Sequence, residues 1–351
     1  MAQEWCVFRG EDNPEGEGDR LRALPDPPPW RVLSQTEDGR SNLDDWRGKT
    51  YRPGVAEIEG VNAALYLRRP LLVTGPPGAG KSSLIYAVAQ ELRLGPVLRW
   101  SINSRSSLAE GLYQYDAIAR LRDAQMARDR RVDTRGGERP DAETTEEDIG
   151  RYLKLGPLGT ALLPRAPEAG VVRPRALLID EIDKSDIDLP NDLLHVFEEG
   201  YYEIPELVRV AERQAEVRVR PYLGRSDADR VPIQHGRVNC TCFPLVVLTS
   251  NRERDLPPAF YRRCLRLDLD KPTPDELEQI VERHLQALAG YNAKDVRTWV
   301  AGFVKRREQE GGQLATDQLL NLVYLLCGGA SARQPVPDGV QKLVQRRLSE
   351  E

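Results

Sequence analysis

Residues 71–83 read LLVTGPPGAGKSS. Four strand-forming residues, Leu71 to Thr74, run into Gly75; after four more residues come Gly80, Lys81, Ser82 and Ser83, and a helical pattern starts at once. The order specifies a strand, a glycine-rich loop and a helix. Glycines let the backbone curl until successive N–H groups and the amino end of the helix point at phosphate oxygens. Gly75, Pro76, Pro77, Gly78, Ala79, Gly80, Lys81, Ser82 and Ser83 are the expected cradle. Lys81 reaches the outer phosphates and Ser82 carries the magnesium ion, so the expected ligand is a magnesium nucleotide.

Outward from this stretch, short apolar runs recur at Val97–Trp100, Ala176–Ile179 and Leu245–Thr249, and Arg266–Leu269 adds one more. Helical segments separate them, which predicts an α/β fold with a parallel sheet flanked by helices. After Pro272 the strands stop. Helical patterns follow at 274–288, 293–308, 316–327 and 336–348, and predict a separate all-helical domain at 272–351. The folded core is expected over 51–271. Its first helix carries Val55, Ile58, Val61, Ala64, Leu65 and Leu67 at helical spacing and ends at Pro70.

Two strands end in residues suited to phosphate chemistry. ALLIDEIDKSD ends a buried strand in Asp180 and Glu181, where open α/β sheets place ligand groups. Asp180 is the expected magnesium ligand beside Ser82, and Glu181 the expected base that orients and deprotonates a water. PLVVLTSN ends another strand in Asn251, a neutral amide that can hold that water without adding negative charge. Arg262 and Arg263 follow a short apolar helix. Either can stabilise phosphoryl-transfer charge, in its own subunit or in a neighbour's site, and either can be a structural ion-pair partner.

The rest of the chain bounds the answer. It has 351 residues, 30% of them charged, with 50 Lys plus Arg against 55 Asp plus Glu. That mildly acidic balance speaks against a general nucleic-acid partner. No apolar run is long enough to span a bilayer, and the acidic amino end does not read as a signal peptide, so a cytoplasmic location is expected. Cys6, Cys240, Cys242, Cys264 and Cys327 form no CxxC, which argues against a zinc site. Cys240 and Cys242 read as two small thiols on one side of a strand. Residues 1–50, rich in proline and acid, are expected to be mostly irregular. Two intervals exceed a bare βαβ unit and read as insertions: 104–160, with an amphipathic helix from Leu108 to about Arg130 and a disordered polar stretch, and 201–244, with a hairpin or small sheet. In the second, Arg209, Arg213, Arg218, Arg220, Arg225, Arg230 and Arg237 either line a pore or, as the interspersed acids favour, form solvated surface.

GPPGAGKS (75–82), ALLIDE (176–181), LVVLTSN (245–251) and LPPAFYRRC (256–264) together resemble the Walker A, Walker B, sensor-1 and arginine-finger elements of an AAA+ ATPase. More narrowly, YRPGVAEIEGVNAALYLRRPLLVTGPPGAGKSSL, the two insertions and RRCLRLDLDKPTPDELEQIV resemble the MoxR-like branch, over Tyr51 to about residue 330. The resemblance implies a P-loop core with a helical lid, ATP with Mg²⁺, Asn251 as sensor 1 and Arg263 rather than Arg262 as the trans-acting finger. It implies a hexameric ring acting as a chaperone, with a von Willebrand factor A domain protein as partner. One departure stands out: QLATDQLLNLVYLL has Asp317 and Gln318 where many lids place a sensor-2 arginine. The expected function is Mg-dependent ATP hydrolysis that remodels a partner protein. Its rivals are a nucleotide-dependent switch with little turnover and a nucleic-acid-stimulated motor.

Overall fold

The computed structural model describes residues 27–31, 42–133, 148–285, 293–309 and 316–327. In chain order the elements are α1 (Asn42–Thr50), α2 (Val55–Leu67), β1 (Leu71–Thr74), α3 (Lys81–Glu91), β2 (Leu98–Ser101), α4 (Leu108–Leu112), β3 (Tyr113–Tyr115), α5 (Ala117–Asp133), β4 (Leu153–Leu155), α6 (Pro157–Ala161) and β5 (Ala176–Asp180). Then come α7 (Asp188–Glu199), β6 (Tyr201–Glu203), α8 (Pro205–Val208), β7 (Glu216–Val219), β8 (Val231–Gln234), β9 (Arg237–Asn239), β10 (Leu245–Ser250), α9 (Pro258–Arg263) and β11 (Leu265–Asp268). Helices α10 (Pro274–Leu285), α11 (Ala293–Gln309) and α12 (Thr316–Cys327) follow. The chain divides into two compact units, one of residues 1–52, 75–87 and 268–351, the other of 53–74 and 88–267.

The second unit is built on a five-stranded sheet in the order β11-β1-β10-β5-β2. Strands β1, β10, β5 and β2 run parallel, with Leu71 opposite Val247, Leu245 opposite Ala176, and Leu98 opposite Leu177. All residues of β1, β5 and β10 are buried, as expected of strands covered on both faces, while β2 at the edge alternates. The register sets Thr74 opposite Ser250, and Ser101 opposite Asp180, so the four carboxyl ends share one edge. Of the predicted α2 stripe only Val61 and Ala64 are buried, and Val55, Ile58 and Leu67 are exposed. The helix packs through its small residues, a Cβ at Gly60 falling 3.7 Å from both Leu71 and Leu267.

The first insertion departs from expectation. The stretch from Leu108 to Arg130 is two helices separated by β3, which pairs antiparallel with β4, Tyr113 opposite Leu155. The Ser107 side chain accepts from the Glu110 N–H at the start of α4, and Asp116 Oδ1 accepts from the Ala119 N–H at 2.8 Å at the start of α5. The alternating Tyr-Gln-Tyr suits a strand, and short apolar runs are ambiguous between the two periodicities. Ile118 and Leu121, expected on a packed face, are exposed. The polar stretch predicted to be disordered lies largely outside the described residues.

The second insertion is a four-stranded antiparallel sheet, β6-β9-β8-β7. Its inward residues Val217, Val219, Ile233 and Val238 join the same core as Leu177, Ile179, Val246 and Leu248 of the central sheet. Among its arginines, Arg220 pairs with Asp227, Arg230 with Asp148 and Asp227, and Arg237 lies over the Tyr201 ring. Cys240 and Cys242 fall beyond the end of β9, half-buried in a loop rather than on a strand. Burial pushes the Cys240 thiol up and that of Cys264 up to about 12, which leaves both protonated and inert at neutral pH.

In the first unit, α10, α11 and α12 enclose a core of Leu277, Val281, Val300, Phe303, Leu319 and Val323. Within the described part of the amino-terminal arm, α1 forms. Asp44 and Asp45 lie in the first turn and Arg47 and Lys49 in the last, matching the helix dipole. Two tryptophans anchor the arm: Trp30 and Trp46 meet the His284 ring edge-on, both at 5.7 Å between centroids, and Trp30 Nε1 donates to Asn321 Oδ1 at 2.9 Å. The pattern predicted at 336–348 lies outside the described residues. No described helix is long and apolar enough to cross a membrane.

Candidate functional site

The glycine-rich loop belongs to the first unit. Gly75, Gly78 and Gly80 have φ of 152°, 77° and 90°, the region that L side chains rarely adopt. A Cβ at Gly75 would collide with the Leu269 carbonyl oxygen, and one at Gly80 with the Tyr51 ring. Lys81 is only 8% exposed, and its ammonium donates to the Gly75 carbonyl at 2.7 Å and the Pro76 carbonyl at 2.9 Å, folding the loop around itself. Helix α3 begins with the Ser83 and Leu84 N–H groups both donating to the Gly80 carbonyl, so Ser82 stands in its first turn. From the amino end of α12, the Thr316 hydroxyl donates to the Gly78 carbonyl at 3.0 Å.

The acidic residues stand at the carboxyl edge of the sheet in the second unit. Asp180, 6% exposed, accepts from the Thr249 hydroxyl at 2.8 Å through Oδ1 and from Arg99 Nη2 at 2.7 Å through Oδ2. The same Thr249 hydroxyl accepts the Glu181 N–H at 2.9 Å and so locks the end of β5 to β10. Glu181 has φ of 63°, a left-handed conformation that costs a non-glycine residue about 1–2 kcal/mol. Lys184 reaches its Oε2 at 3.0 Å, and this bond is the main cause of a lysine pKa above the usual value.

Asn251 follows β10 directly. Its amide nitrogen Nδ2 donates to Glu253 Oε1 at 3.2 Å and its backbone N–H to Asp183 Oδ2 at 3.0 Å. Next to it Arg252, also left-handed with φ of 62°, sends Nη2 to the Thr74 hydroxyl at 2.8 Å, at the end of β1. Arg262 and Arg263 form the last turn of α9 instead of following it. Arg263 pairs with Glu198 of α7, while Arg69 donates to the backbone carbonyls of both arginines.

The fold therefore brings Asp180, Glu181 and Asn251 to one edge of one sheet. Thr249, Arg99, Asp183 and Arg252 share that edge and were not singled out from the sequence; the one signal for Thr249 was its place two residues before Asn251 in the same strand. The residues fit a magnesium nucleotide by their chemistry. The Leu269 carbonyl at Gly75 and the Tyr51 ring at Gly80 leave no room for side chains and a buried ammonium closes the loop, while each unit by itself carries a hard oxygen donor of the kind magnesium takes, the Ser82 hydroxyl in one and the Asp180 carboxylate in the other. In this structure the Asp180 carboxylate is held by Arg99.

A glycine-rich loop after one strand of a parallel sheet, with an acidic pair at the end of another, defines a P-loop nucleotide-binding protein. Residues 70–264 match the family model described as AAA domain (dynein-related subfamily), and the chain belongs to that family of AAA+ ATPases. Among curated proteins, none matches the chain.

Proposed function

We propose that the chain is a magnesium-dependent ATPase of the MoxR-like branch, working as a hexameric ring that couples ATP hydrolysis to remodelling of a partner protein. The observation that carries the reading is the junction of β5 and β10, where one hydroxyl, that of Thr249, ties Asp180 to the backbone of Glu181 two residues from Asn251. In this mechanism the loop from Gly75 to Ser83 holds the triphosphate and Lys81 neutralises its outer oxygens. Ser82 and Asp180 hold the metal ion, which neutralises phosphate charge when bound. Glu181 takes a proton from the attacking water while Asn251 orients that water. Arg263 acts on the site of a neighbouring subunit, with Arg262 as its alternative.

Helices α10 to α12 serve as the lid. The Thr316 contact with Gly78 supports this, since it joins the third of these helices to the phosphate loop where Asp317 and Gln318 replace the usual arginine. A von Willebrand factor A domain protein is the partner we propose for the remodelling step. A second reading, a nucleotide-dependent switch with little turnover, is favoured by two ion pairs that engage the working groups, Arg99 with Asp180 and Arg263 with Glu198. The motor reading draws little support, because Arg220 and Arg230 of the insertion already pair with Asp227.

ATP turnover per subunit against protein concentration, with Mg²⁺ present and Glu181→Gln as the blank, tests the proposal. Specific activity that climbs with concentration is the expected result and signals shared sites. Flat, high activity would remove the trans role of Arg263; activity at the blank would put the switch first.

A further inference from the structure

Asp183 lies in the short turn after β5, two residues beyond Glu181, and is 2% exposed. A buried carboxylate is retained only when hydrogen bonds or a charge compensate it. Here Oδ2 accepts two backbone N–H groups, those of Asn251 and Glu253, each at 3.0 Å. Between them Arg252 is left-handed, and its own N–H donates to the Ser250 hydroxyl at 3.0 Å. Amides converging around a left-handed residue make a concavity that favours an anion, and Asp183 fills it. The other oxygen, Oδ1, is buried and has no hydrogen-bond partner among the described residues. An acid kept for packing alone would gain from an apolar replacement, since an unpaired buried oxygen carries its desolvation cost without return.

We propose that Asp183 is a positioning residue, which clamps the loop after β10 so that Asn251 stays aligned with Glu181. The inference rests on the ATPase reading above and adds a residue that acts through the backbone of Asn251 and Glu253. Its logic is geometric. Glu181 and Asn251 lie on loops that leave two neighbouring strands, and the Thr249 bond fixes only their roots. Asp183 joins the loops beyond those roots. A displacement of about 1 Å in a water-orienting group is enough to cost on the order of a hundredfold in rate. The same clamp fixes the backbone from which Arg252 reaches Thr74.

The test compares Asp183→Ala, Asp183→Asn, Asn251→Ala and the Asp183→Ala/Asn251→Ala double variant in steady-state ATP hydrolysis, with amide hydrogen exchange of residues 251–253. Asp183→Ala is expected to lower kcat by about ten- to a hundredfold, as removal of an orienting partner does, with KM for ATP near the parent's. Asn251→Ala is expected to cost as much, and the double variant no more than either single one. Asp183→Asn, which keeps an acceptor oxygen for both amides, falls between parent and Asp183→Ala, and exchange rises in the same order. Should Asp183→Ala not fold, Asp183→Asn carries the test: lower kcat with faster exchange supports the clamp, and parental values of both overturn it. Parental kcat in Asp183→Ala beside a damaged Asn251→Ala, or losses that multiply in the double variant, would overturn the role of Asp183 alone. A parent protein without turnover would overturn the ATPase reading and this inference with it.

Discussion

Arg99, on the edge strand β2, donates to Asp180 at 2.7 Å and so occupies the carboxylate at the end of β5. Asp180 is buried whereas the Arg99 side chain is 43% exposed, so solvent screens the pair from the arginine side. Arg99→Gln is expected to destabilise the metal-free protein by about 1–2 kcal/mol, less than for a fully buried pair because of that screening. The carboxylate, relieved of the guanidinium and still held by the Thr249 hydroxyl, should then bind a divalent cation more tightly. Thermal unfolding with and without millimolar Mg²⁺ checks this: the variant should melt lower than the parent without the ion and gain more from its addition. Equal gains in both proteins would refute it.

Gly80 tests the loop. At its φ of 90° an alanine is strained, and the new methyl meets the Tyr51 ring. The backbone term alone is about 1–2 kcal/mol. Gly80→Ala is expected to raise the Kd for a fluorescent ATP analogue by about tenfold or more, since about 1.4 kcal/mol corresponds to a factor of ten. Adding Tyr51→Ala removes the clash but not the strain, and so should recover only part of the loss.

Arg263 and Glu198 make opposite predictions. If Arg263 serves a neighbouring site, its pair with Glu198 of its own chain has to open. Arg263→Ala should abolish turnover and keep nucleotide binding. Glu198→Ala should keep turnover or raise it, because an exposed pair contributes only about 0–1 kcal/mol to stability. Mixing Arg263→Ala with Lys81→Ala subunits should restore part of the activity; no recovery at any ratio would count against a shared site.

His284 gives the helical unit a pH dependence. Burial, with a smaller contribution from Arg283, holds its pKa below the usual 6.5, against the pull of a 2.7 Å bond between Nδ1 and the Ile280 carbonyl. Below pH 6.5 the unfolded chain binds the proton before the folded one does, so stability falls as pH falls from 6.5 towards the depressed value. Melting curves of the parent and of His284→Gln between neutral and mildly acidic pH should diverge, the parent losing stability more steeply on acidification.

The strands β1, β5 and β10 are legible because each is a short, mostly apolar run that ends in, or is followed at once by, a glycine, an acid or an amide. Such runs have one reading when both faces of a sheet are covered. The stretch from Leu108 departs from its expected single helix for a related reason: a short run such as Tyr113–Tyr115 fits a helix and a strand about equally until a pairing partner, here β4, is known. Asp180, Glu181 and Asn251 could be found as strand ends. Arg99, Thr249 and Asp183 could not, since their roles depend on which strands are neighbours, and the clamp on Asn251 spans 68 residues of sequence. Prolines and acids predict an irregular arm and carry no sign that Trp30 and Trp46 meet the His284 ring.

The insertion between β5 and β10 has no core of its own. Val217, Val219, Ile233 and Val238 are packed into the interior that the central sheet also fills, and a Cβ at Gly150 would collide with the Arg218 carbonyl on β7. A module fastened in this way is packed into the common core rather than tethered beside it. Close-packed interiors transmit strain with little compression. Any shift at the edge that carries Asp180 and Asn251 is therefore handed on to the outer strands without slack, which makes the insertion a stiff lever that cannot be trimmed off or exchanged as a cassette without reopening the core beneath it.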